Sequence, residues 1–233
     1  MLRKKKKGAD PLKIIIGEKN YSSWSLRGWL AVAHTGLEFE EICLALDTPE
    51  FYAKIGDLNP SRKVPALYHG DVLVWDSLAI IDYCARLAPE QFWWPESAAG
   101  YARAKSIAAE MHSGFPALRT HAPMNMRGKW SNLKISEAVQ TDIDRILTIC
   151  RECRADFGAD GAFLFGKFSA ADMMFAPVAS RLQTYSVPVD PISAEYIDAV
   201  HSHGTFKHWH DAALQETTIV RIDELTPDAT TLG

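Results

Sequence analysis

The chain has 233 residues and a formal net charge of −4, with 47% apolar and 23% charged residues. This composition is ordinary for a globular protein and excludes a disordered, collagen-like or disulfide-dense chain. Residues 3–7 carry +5, so subtracting them from −4 leaves −9 on the rest. We predict that residues 1–12 form a disordered basic leader. The body has no broad basic surface and no apolar run of membrane-spanning length, so we expect a cytoplasmic protein that binds neither nucleic acid nor a membrane.

Short apolar strands alternate with helical patterns over residues 13–88. The spacing predicts a β-α-β-α-β-β-α order, in which Gly70-Asp71 forms the turn of a hairpin. The predicted elements are a strand at 13–17, a helix at 26–35, a strand at 39–46, a helix at 49–58, hairpin strands at 66–69 and 72–74, and a helix at 77–87. This order indicates a small α/β domain.

The pattern changes at residues 88–96, where prolines interrupt it, and we place a domain boundary there. The predicted domains are 13–88 and 98–225. Amphipathic spacing predicts that the second domain is all-helical. Its predicted helices are 98–125, 136–156, 170–185, 193–203 and 205–215.

Lys63-Val64-Pro65 stands at the entrance to the hairpin. Proline has no amide N–H, so it is tolerated at the start of a strand better than inside one. A cis bond before Pro65 would turn the backbone N–H and C=O of Val64 toward an extended peptide ligand. A trans proline that begins an edge strand is the alternative, and the dipeptide alone favours it.

Two helix starts carry polar side chains that suit a ligand. Asp76 and Ser77 open the helix after the hairpin, where they either cap the helix or help to bind an anionic group. Ser22, Ser23 and Ser25 lie between the first strand and the first helix. Hydroxyls at a helix N-terminus can stabilise a thiolate, and three serines in four positions cannot all be caps.

Together these features resemble the glutathione transferases, over nearly the whole chain from Lys13 onward. Residues 22–27, Ser-Ser-Trp-Ser-Leu-Arg, look like the Ser-Ser-Cys-Ser-Trp-Arg loop of the zeta class, with Trp24 in place of the cysteine. The resemblance implies a thioredoxin-like N-terminal domain followed by an all-helical C-terminal domain. It also implies that Ser22 is the catalytic serine, with Ser23 as the second candidate and Tyr21 as the third.

The resemblance assigns the other site residues as well. Val64 corresponds to the residue that pairs with the cysteinyl backbone of glutathione, and Asp76 stands where the family commonly has Gln or Glu. The implied glutathione-binding residues are Lys63, Val64, Pro65, Asp76 and Ser77. One predicted helix carries the residues that would wall the electrophile pocket, although some of them could equally be core. These residues are Met111, His112, Phe115 and Arg119.

Three further patterns have a structural interpretation. Ser169-Ala170-Ala171-Asp172 predicts a capping box at the start of a helix. Cys150 and Cys153 fall inside a helical pattern, whereas a redox pair belongs at a strand–helix junction. Neither these cysteines nor the histidines near the C-terminus have the spacing of a metal site, and we predict no metal.

The resemblance implies an enzyme of the glutathione transferase type that serves in detoxification. Glutathione would be its cosubstrate, and the activated thiolate would attack a small electrophile. The alternatives are a glutathione-dependent isomerase or dehalogenase similar to maleylacetoacetate isomerase, and a binding protein without turnover. Ser-x-x-Ser at 22–25 argues against disulfide exchange, because no protein thiolate is available there. The family also implies a homodimer.

Overall fold

The computed structural model describes residues 11–226 and 229–233. Most of the predicted basic leader therefore lies outside the described residues, and Leu12, its last member, already begins the first strand. The elements of the first half occur in the predicted order. They are β1 (Leu12–Ile16), α1 (Ser23–His34), β2 (Phe39–Cys43), α2 (Pro49–Leu58), β3 (Ala66–His69), β4 (Val72–Trp75) and α3 (Ser77–Leu87).

These strands form one mixed sheet in the order β2-β1-β3-β4. β1 is parallel to β2 and antiparallel to β3, and β3 and β4 form the hairpin. Side chains of β1 alternate between the faces, as a strand requires. Ile14 and Ile16 join the large core that contains α1 and α3, whereas Ile15 packs with Phe51 and Ile55 of α2 on the other face. The predicted thioredoxin-like fold class is confirmed.

The second half is mostly helical. Its helices are α4 (Ala98–Ser113), α5 (Pro116–His121), α6 (Glu137–Phe157), α7 (Ala170–Thr184), α8 (Pro191–Ser202) and α9 (Gly204–Gln215). Two short strands that the sequence did not predict, β5 (Lys134–Ile135) and β6 (Thr231–Leu232), pair in parallel. The domain limits 13–88 and 98–225 stay a prediction, because residues of both halves share one continuous core.

The single helix predicted at 98–125 is wrong, since the structure has two helices there. Gly114 caps α4, and Phe115 has a left-handed backbone with φ of 63°. Helical backbone angles are disfavoured for the residue before a proline, here Phe115. Pro116 can begin a helix but cannot continue one. Arg119 therefore lies on a different helix from Met111.

Helix α1 is buried between the two halves of the chain, and it packs against α3, α7 and α9. Arg27 of α1 is fully buried, and its Nε donates a hydrogen bond to the Met174 carbonyl of α7. The start of α7 is held by the predicted capping box, in which Asp172 accepts hydrogen bonds from the backbone and hydroxyl of Ser169. The position of α1 thus depends on both halves.

Four titratable side chains of the second half, Cys150, Cys153, His201 and His203, lie wholly or partly inside the fold. Cys150 and Cys153 lie buried within α6, and burial raises the pKa of each thiol to about 12. His201 and His203 are half-buried, and the His203 ring stacks on that of Phe168 with the ring centroids 3.8 Å apart.

Two classes of feature are missing from residues 11–226 and 229–233. No helix there is both long and apolar enough to cross a membrane. No group of three or more His, Cys, Asp or Glu side chains is placed there to hold a metal ion.

Partly buried histidines make the stability depend on pH. Burial is the main cause of a lowered pKa at His34, His201, His203 and His210. The unfolded chain protonates these side chains near pH 6.5, so it binds more protons than the folded chain in this range. We predict that the melting temperature falls as the pH is lowered from about 7.5 to about 6.

Buried carboxyls limit the range of this effect. Burial raises the pKa of Asp172 and of Asp223 to about 6, so the folded chain binds their protons first and gains stability below that pH. The histidine effect is therefore clearest above about pH 6. His203→Gln should make the fall shallower, and His121→Gln, at an exposed position, should leave it unchanged. If the melting temperature depended equally on pH in the two variants, the effect could not be assigned to His203.

Candidate active site between the two halves

Two adjoining cavities occupy the cleft beside the starts of α1 and α3. The α1 cavity has a volume of about 510 Å³, and its walls include Ser22, Ser23, Arg119, Arg181 and Asp223. The α3 cavity has a volume of about 570 Å³, and its walls include Pro65, Trp75, Asp76, Ser77 and His112. Trp24, Lys63 and Val64 line both cavities. A ligand that contacts Val64 can therefore extend into either one.

The Val64–Pro65 peptide bond is cis, so the trans alternative is wrong. β3 begins only at Ala66, and within the described residues neither the N–H nor the C=O of Val64 has a hydrogen-bond partner. Lys63 is held in place because its carbonyl accepts a hydrogen bond from the Asn59 side chain at 2.6 Å. The cleft thus offers a free backbone donor and a free acceptor at the point where the cavities meet.

Asp76 caps α3 and also connects the two halves of the chain. Its Oδ1 accepts the Leu78 N–H at 2.9 Å, and its Oδ2 lies 2.8 Å from Nε2 of His112 on α4. Both carboxylate oxygens therefore have a partner. Ser77 differs, because its Oγ is buried and has no partner among the described residues. Ser77 is therefore a buried polar side chain in the wall of the α3 cavity that no described residue pairs with.

The serines at the start of α1 are in different environments. Ser22 caps the helix by accepting the Ser25 N–H at 3.3 Å, and the two hydroxyl oxygens are 2.7 Å apart. Ser25 Oγ also accepts the Gly17 N–H at 3.0 Å. Ser23 lines the same cavity, and its hydroxyl makes no hydrogen bond to a described residue, unlike that of Ser22. Both predicted catalytic serines therefore face the α1 cavity.

The Tyr21 hydroxyl is occupied by other side chains. It hydrogen-bonds to the Glu224 carboxylate and accepts a hydrogen bond from Arg127 at 2.8 Å. Burial and the contact with Glu224 raise the pKa of Tyr21. Of the three hydroxyl candidates at this helix start, Tyr21 is therefore the one already committed to the fold.

Trp24 forms a wall between the two cavities. Its ring lies 4.6 Å from the guanidinium carbon of Arg27 and 5.0 Å from that of Arg119, within the range of cation–π attraction. It also makes an edge-on contact with His112, with ring centroids 5.3 Å apart. Burial lowers the pKa of Arg27, and its two terminal nitrogens have no partners within the described part of the chain.

Arg181 on α7 is a site residue that the sequence did not single out. Only 4% of it is exposed, and Nε donates to the Ala122 carbonyl at 2.8 Å. Within residues 11–226 and 229–233 its other two nitrogens have no hydrogen-bond partner, and no carboxylate lies within ion-pair distance. Burial lowers its pKa to about 10, so it is charged at neutral pH. A buried guanidinium without a hydrogen-bonded carboxylate therefore lines the α1 cavity, and Asp223 of the same wall attracts it from a longer distance.

The four predicted pocket residues are separated in the structure. Arg119 lines the α1 cavity and His112 lines the α3 cavity. Met111 and Phe115 are buried in the core and line neither cavity. Met111 is on the buried face of α4, whereas Phe115 lies beyond the break at Gly114 and does not extend that helix.

The segment after α9 closes one side of the α1 cavity. The Glu216 carboxylate accepts the backbone N–H groups of Lys19 and Asn20 at 2.8 and 2.9 Å. Arg127 donates to the carbonyl of Thr218 at 2.7 Å. These contacts hold the segment in place, and its residue Asp223 forms part of the cavity wall. The sequence held no periodic pattern that could have predicted this contribution.

Comparisons with protein families agree with the two-part fold. Residues 21–87 match the family model described as Glutathione S-transferase, N-terminal domain, and residues 134–212 match the model described as Glutathione S-transferase, C-terminal domain. Together the two matches span more than half of the chain.

Three individual proteins that are similar to this chain share 20–24% of their residues with it. A Rattus norvegicus protein named maleylacetoacetate isomerase is 24% identical over 179 residues, which cover 72% of this chain and 77% of that protein. A glutathione transferase homologue from Burkholderia gl BGR1, solved with bound glutathione, has a TM-score of 0.66 at 21% identity and covers 87% of this chain and 98% of its own. A bacterial zeta-class maleyl pyruvate isomerase has a TM-score of 0.66 at 20% identity, with coverages of 93% and 99%. At these identities the two structures share the fold with this chain.

The hydrogen bonds of Tyr21 predict a stability effect. Tyr21→Phe should lower the free energy of unfolding by about 1 kcal/mol, because Glu224 and Arg127 each lose a partner. Denaturant unfolding monitored by fluorescence measures the change. Tyr52→Phe is the matched control, because its hydroxyl bonds to Asp47 at an exposed position. An equal or smaller loss in Tyr21→Phe than in the control would contradict the structural role.

Proposed function

This chain belongs to the glutathione S-transferase family, and on that premise we propose that it transfers the thiolate of glutathione to a small electrophile that carries an anionic group. The anionic group of the electrophile is inferred from Arg181, whose buried guanidinium lines the α1 cavity without a hydrogen-bonded carboxylate. A buried charge without a partner costs stability, so a ligand that pairs with it binds favourably.

The two cavities offer a place for each part of the tripeptide. The cysteinyl backbone would pair with the free N–H and C=O of Val64, where the cavities meet. The γ-glutamyl carboxylate would receive hydrogen bonds from Ser77 and from the N-terminus of α3, which attracts anions. Lys63 lines both cavities and would offer its ammonium group to a carboxylate of glutathione.

This placement puts the thiol at the start of α1. A free cysteine thiol has a pKa near 8.5, so glutathione is mostly protonated at neutral pH. A hydroxyl that donates to the thiolate, the N-terminus of α1 and the nearby guanidinium groups all favour the charged form. Ser22 and Ser23 are the serines that line this cavity. The serine would stabilise the thiolate without forming a covalent bond to it.

The electrophile would bind in the α1 cavity between the thiolate and Arg181. Arg181 would pair with its anionic group and turn the reacting carbon toward the sulfur, since fixing the geometry of two reactants lowers the barrier. In conjugation, a sulfur–carbon bond forms and the displaced or newly formed anion leaves or takes up a proton from water. Arg119, on the same wall, would add to the positive potential at the developing charge.

A glutathione-dependent isomerase is the second candidate, favoured by the similarity to the rat protein named maleylacetoacetate isomerase. Both reactions begin when the thiolate adds to an electrophilic carbon. Isomerisation then needs rotation about the former double bond and loss of the thiolate. Dehalogenation, turnover in detoxification, a homodimer and a cytoplasmic location remain predictions from the family resemblance.

Glutathione binding is the first property to test. We predict that calorimetry detects binding of glutathione at millimolar concentration and that Ser77→Ala weakens it about tenfold, because a hydrogen bond to a charged group is lost. Ser106→Ala is the matched control, since this exposed serine of α4 donates to the Ala102 carbonyl and lines neither cavity. No binding by the unmodified chain would contradict the proposed function, and equal affinities of the two variants would contradict the role of Ser77.

The acceptor class is tested by changing the charge on the protein and on the electrophile. Arg181→Met should lower kcat/KM for a chlorodinitrobenzoate at least about tenfold more than kcat/KM for neutral chlorodinitrobenzene, since both reactions lose a charge that favours the thiolate but only the first substrate loses a charge partner. Arg103→Met, at an exposed ion pair with Glu152, is the matched control. An equal loss with both electrophiles would mean that Arg181 supports the fold and does not select the acceptor.

A further inference from the structure

Ser25 lines neither cavity. Its hydroxyl lies beside that of Ser22, which lines the α1 cavity. Ser25 is the third residue of α1 and is fully buried. Its Oγ accepts the Gly17 N–H at 3.0 Å and lies 2.7 Å from Ser22 Oγ. No other group within the described residues is in hydrogen-bond range of this hydroxyl.

The surroundings of Ser25 determine which hydroxyl donates to the other. Each serine hydroxyl has one proton and can accept as well as donate. Ser25 already accepts from Gly17, and the only acceptor within reach of its own proton, in the described part of the chain, is Ser22 Oγ. A buried donor that lacks an acceptor is unfavourable, so the Ser25 proton points at Ser22. The Ser22 proton is then left free for a third group.

Among the described residues, Ser22 Oγ has no hydrogen-bonded neighbour other than Ser25. Its Oγ accepts from the N–H of Ser25 and, by this argument, from the hydroxyl of Ser25 as well. Ser22 also lines the α1 cavity. Its proton is therefore directed into that cavity, where an anionic acceptor can receive it. Ser23 lines the same cavity, but no hydrogen bond from a described residue orients its hydroxyl, unlike that of Ser22.

We propose that Ser25 is a positioning residue, which donates to Ser22 and thereby directs the Ser22 proton at the thiolate of bound glutathione. The chain of donors runs from the Gly17 N–H through Ser25 and Ser22 to the sulfur. The inference rests on the proposed function, because it needs the glutathione sulfur in the α1 cavity. It also makes Ser22, and not Ser23, the residue that contacts the sulfur.

A purely structural role of Ser25 makes a different prediction. In that case Ser25 would only accept from Gly17 and hold the end of β1 against the start of α1. Its loss would lower the melting temperature and would leave the ionisation of bound glutathione unchanged. The pKa of the bound thiol therefore separates the two roles, because it responds to the direction of the Ser22 proton.

The experiment is a pH titration of thiolate absorbance in the complex of each variant with saturating glutathione. Ser22→Ala and Ser25→Ala should each raise the pKa of the bound thiol by about one unit, with glutathione affinity changed much less, because the tripeptide contacts remain. The double variant should show the shift of Ser22→Ala alone, since Ser25 acts only through Ser22. Ser106→Ala, at an exposed serine of α4, is the matched control and should leave the pKa unchanged. A shift in Ser23→Ala as large as that in Ser22→Ala would contradict the assignment of Ser22.

A substitution of similar volume keeps the test possible if Ser25→Ala does not fold. Ser25→Cys keeps the shape of the side chain but is a weak donor, so it should raise the pKa of the bound thiol in the same direction by a smaller amount. An unshifted thiol pKa in a folded Ser25→Cys or Ser25→Ala protein would overturn the inference, as would shifts that add in the double variant. If the unmodified chain itself does not bind glutathione, the proposed function and this inference both fail.

Discussion

The burial of helix α1 from both sides is the constraint on which the cleft depends. α3 packs against it from the first half of the chain, and α7 and α9 pack against it from the second. Arg27 adds a buried hydrogen bond to the backbone of α7. Because α1 cannot move without uncovering apolar surface in both halves, its first turn holds Ser22 and Ser25 in fixed positions. A site built on such a rigid element keeps its reacting groups within the small tolerance that catalysis requires.

The same burial has an electrostatic consequence. Arg27 and Arg181 hold guanidinium groups in the interior, with no carboxylate in ion-pair contact among the described residues. Such an arrangement opposes folding, and the attraction between Trp24 and the guanidinium groups of Arg27 and Arg119 offsets only part of that cost. Positive potential concentrated beside a helix N-terminus suits a reaction in which both the nucleophile and the acceptor are anions. In the proposed reaction, the arginines lower the repulsion between these two ligands.

Much of the fold could be predicted from the sequence, because local signals marked its elements. The bounds of α2 and α3 agree with the prediction, since Thr48 and Asp76 cap these helices and leave a clear start. The break at Gly114 also lay in the sequence, in the proline two residues later, but the continuing apolar pattern concealed it. Arg181 could not have been found, since nearly every residue of α7 is buried and helical spacing distinguishes core from surface, not core from cavity. The pairing of β5 with β6 joins residues too far apart for any local pattern to indicate it.

A crystal structure of the protein with bound glutathione would show whether the cleft holds the tripeptide with its sulfur at the start of α1. In that complex we expect the backbone of the cysteinyl residue to pair with Val64 and the γ-glutamyl carboxylate to lie against Ser77. We also expect the sulfur to lie within hydrogen-bond distance of Ser22 Oγ. Glutathione bound outside the two cavities, or with its sulfur beyond hydrogen-bond reach of Ser22, would contradict the proposed site.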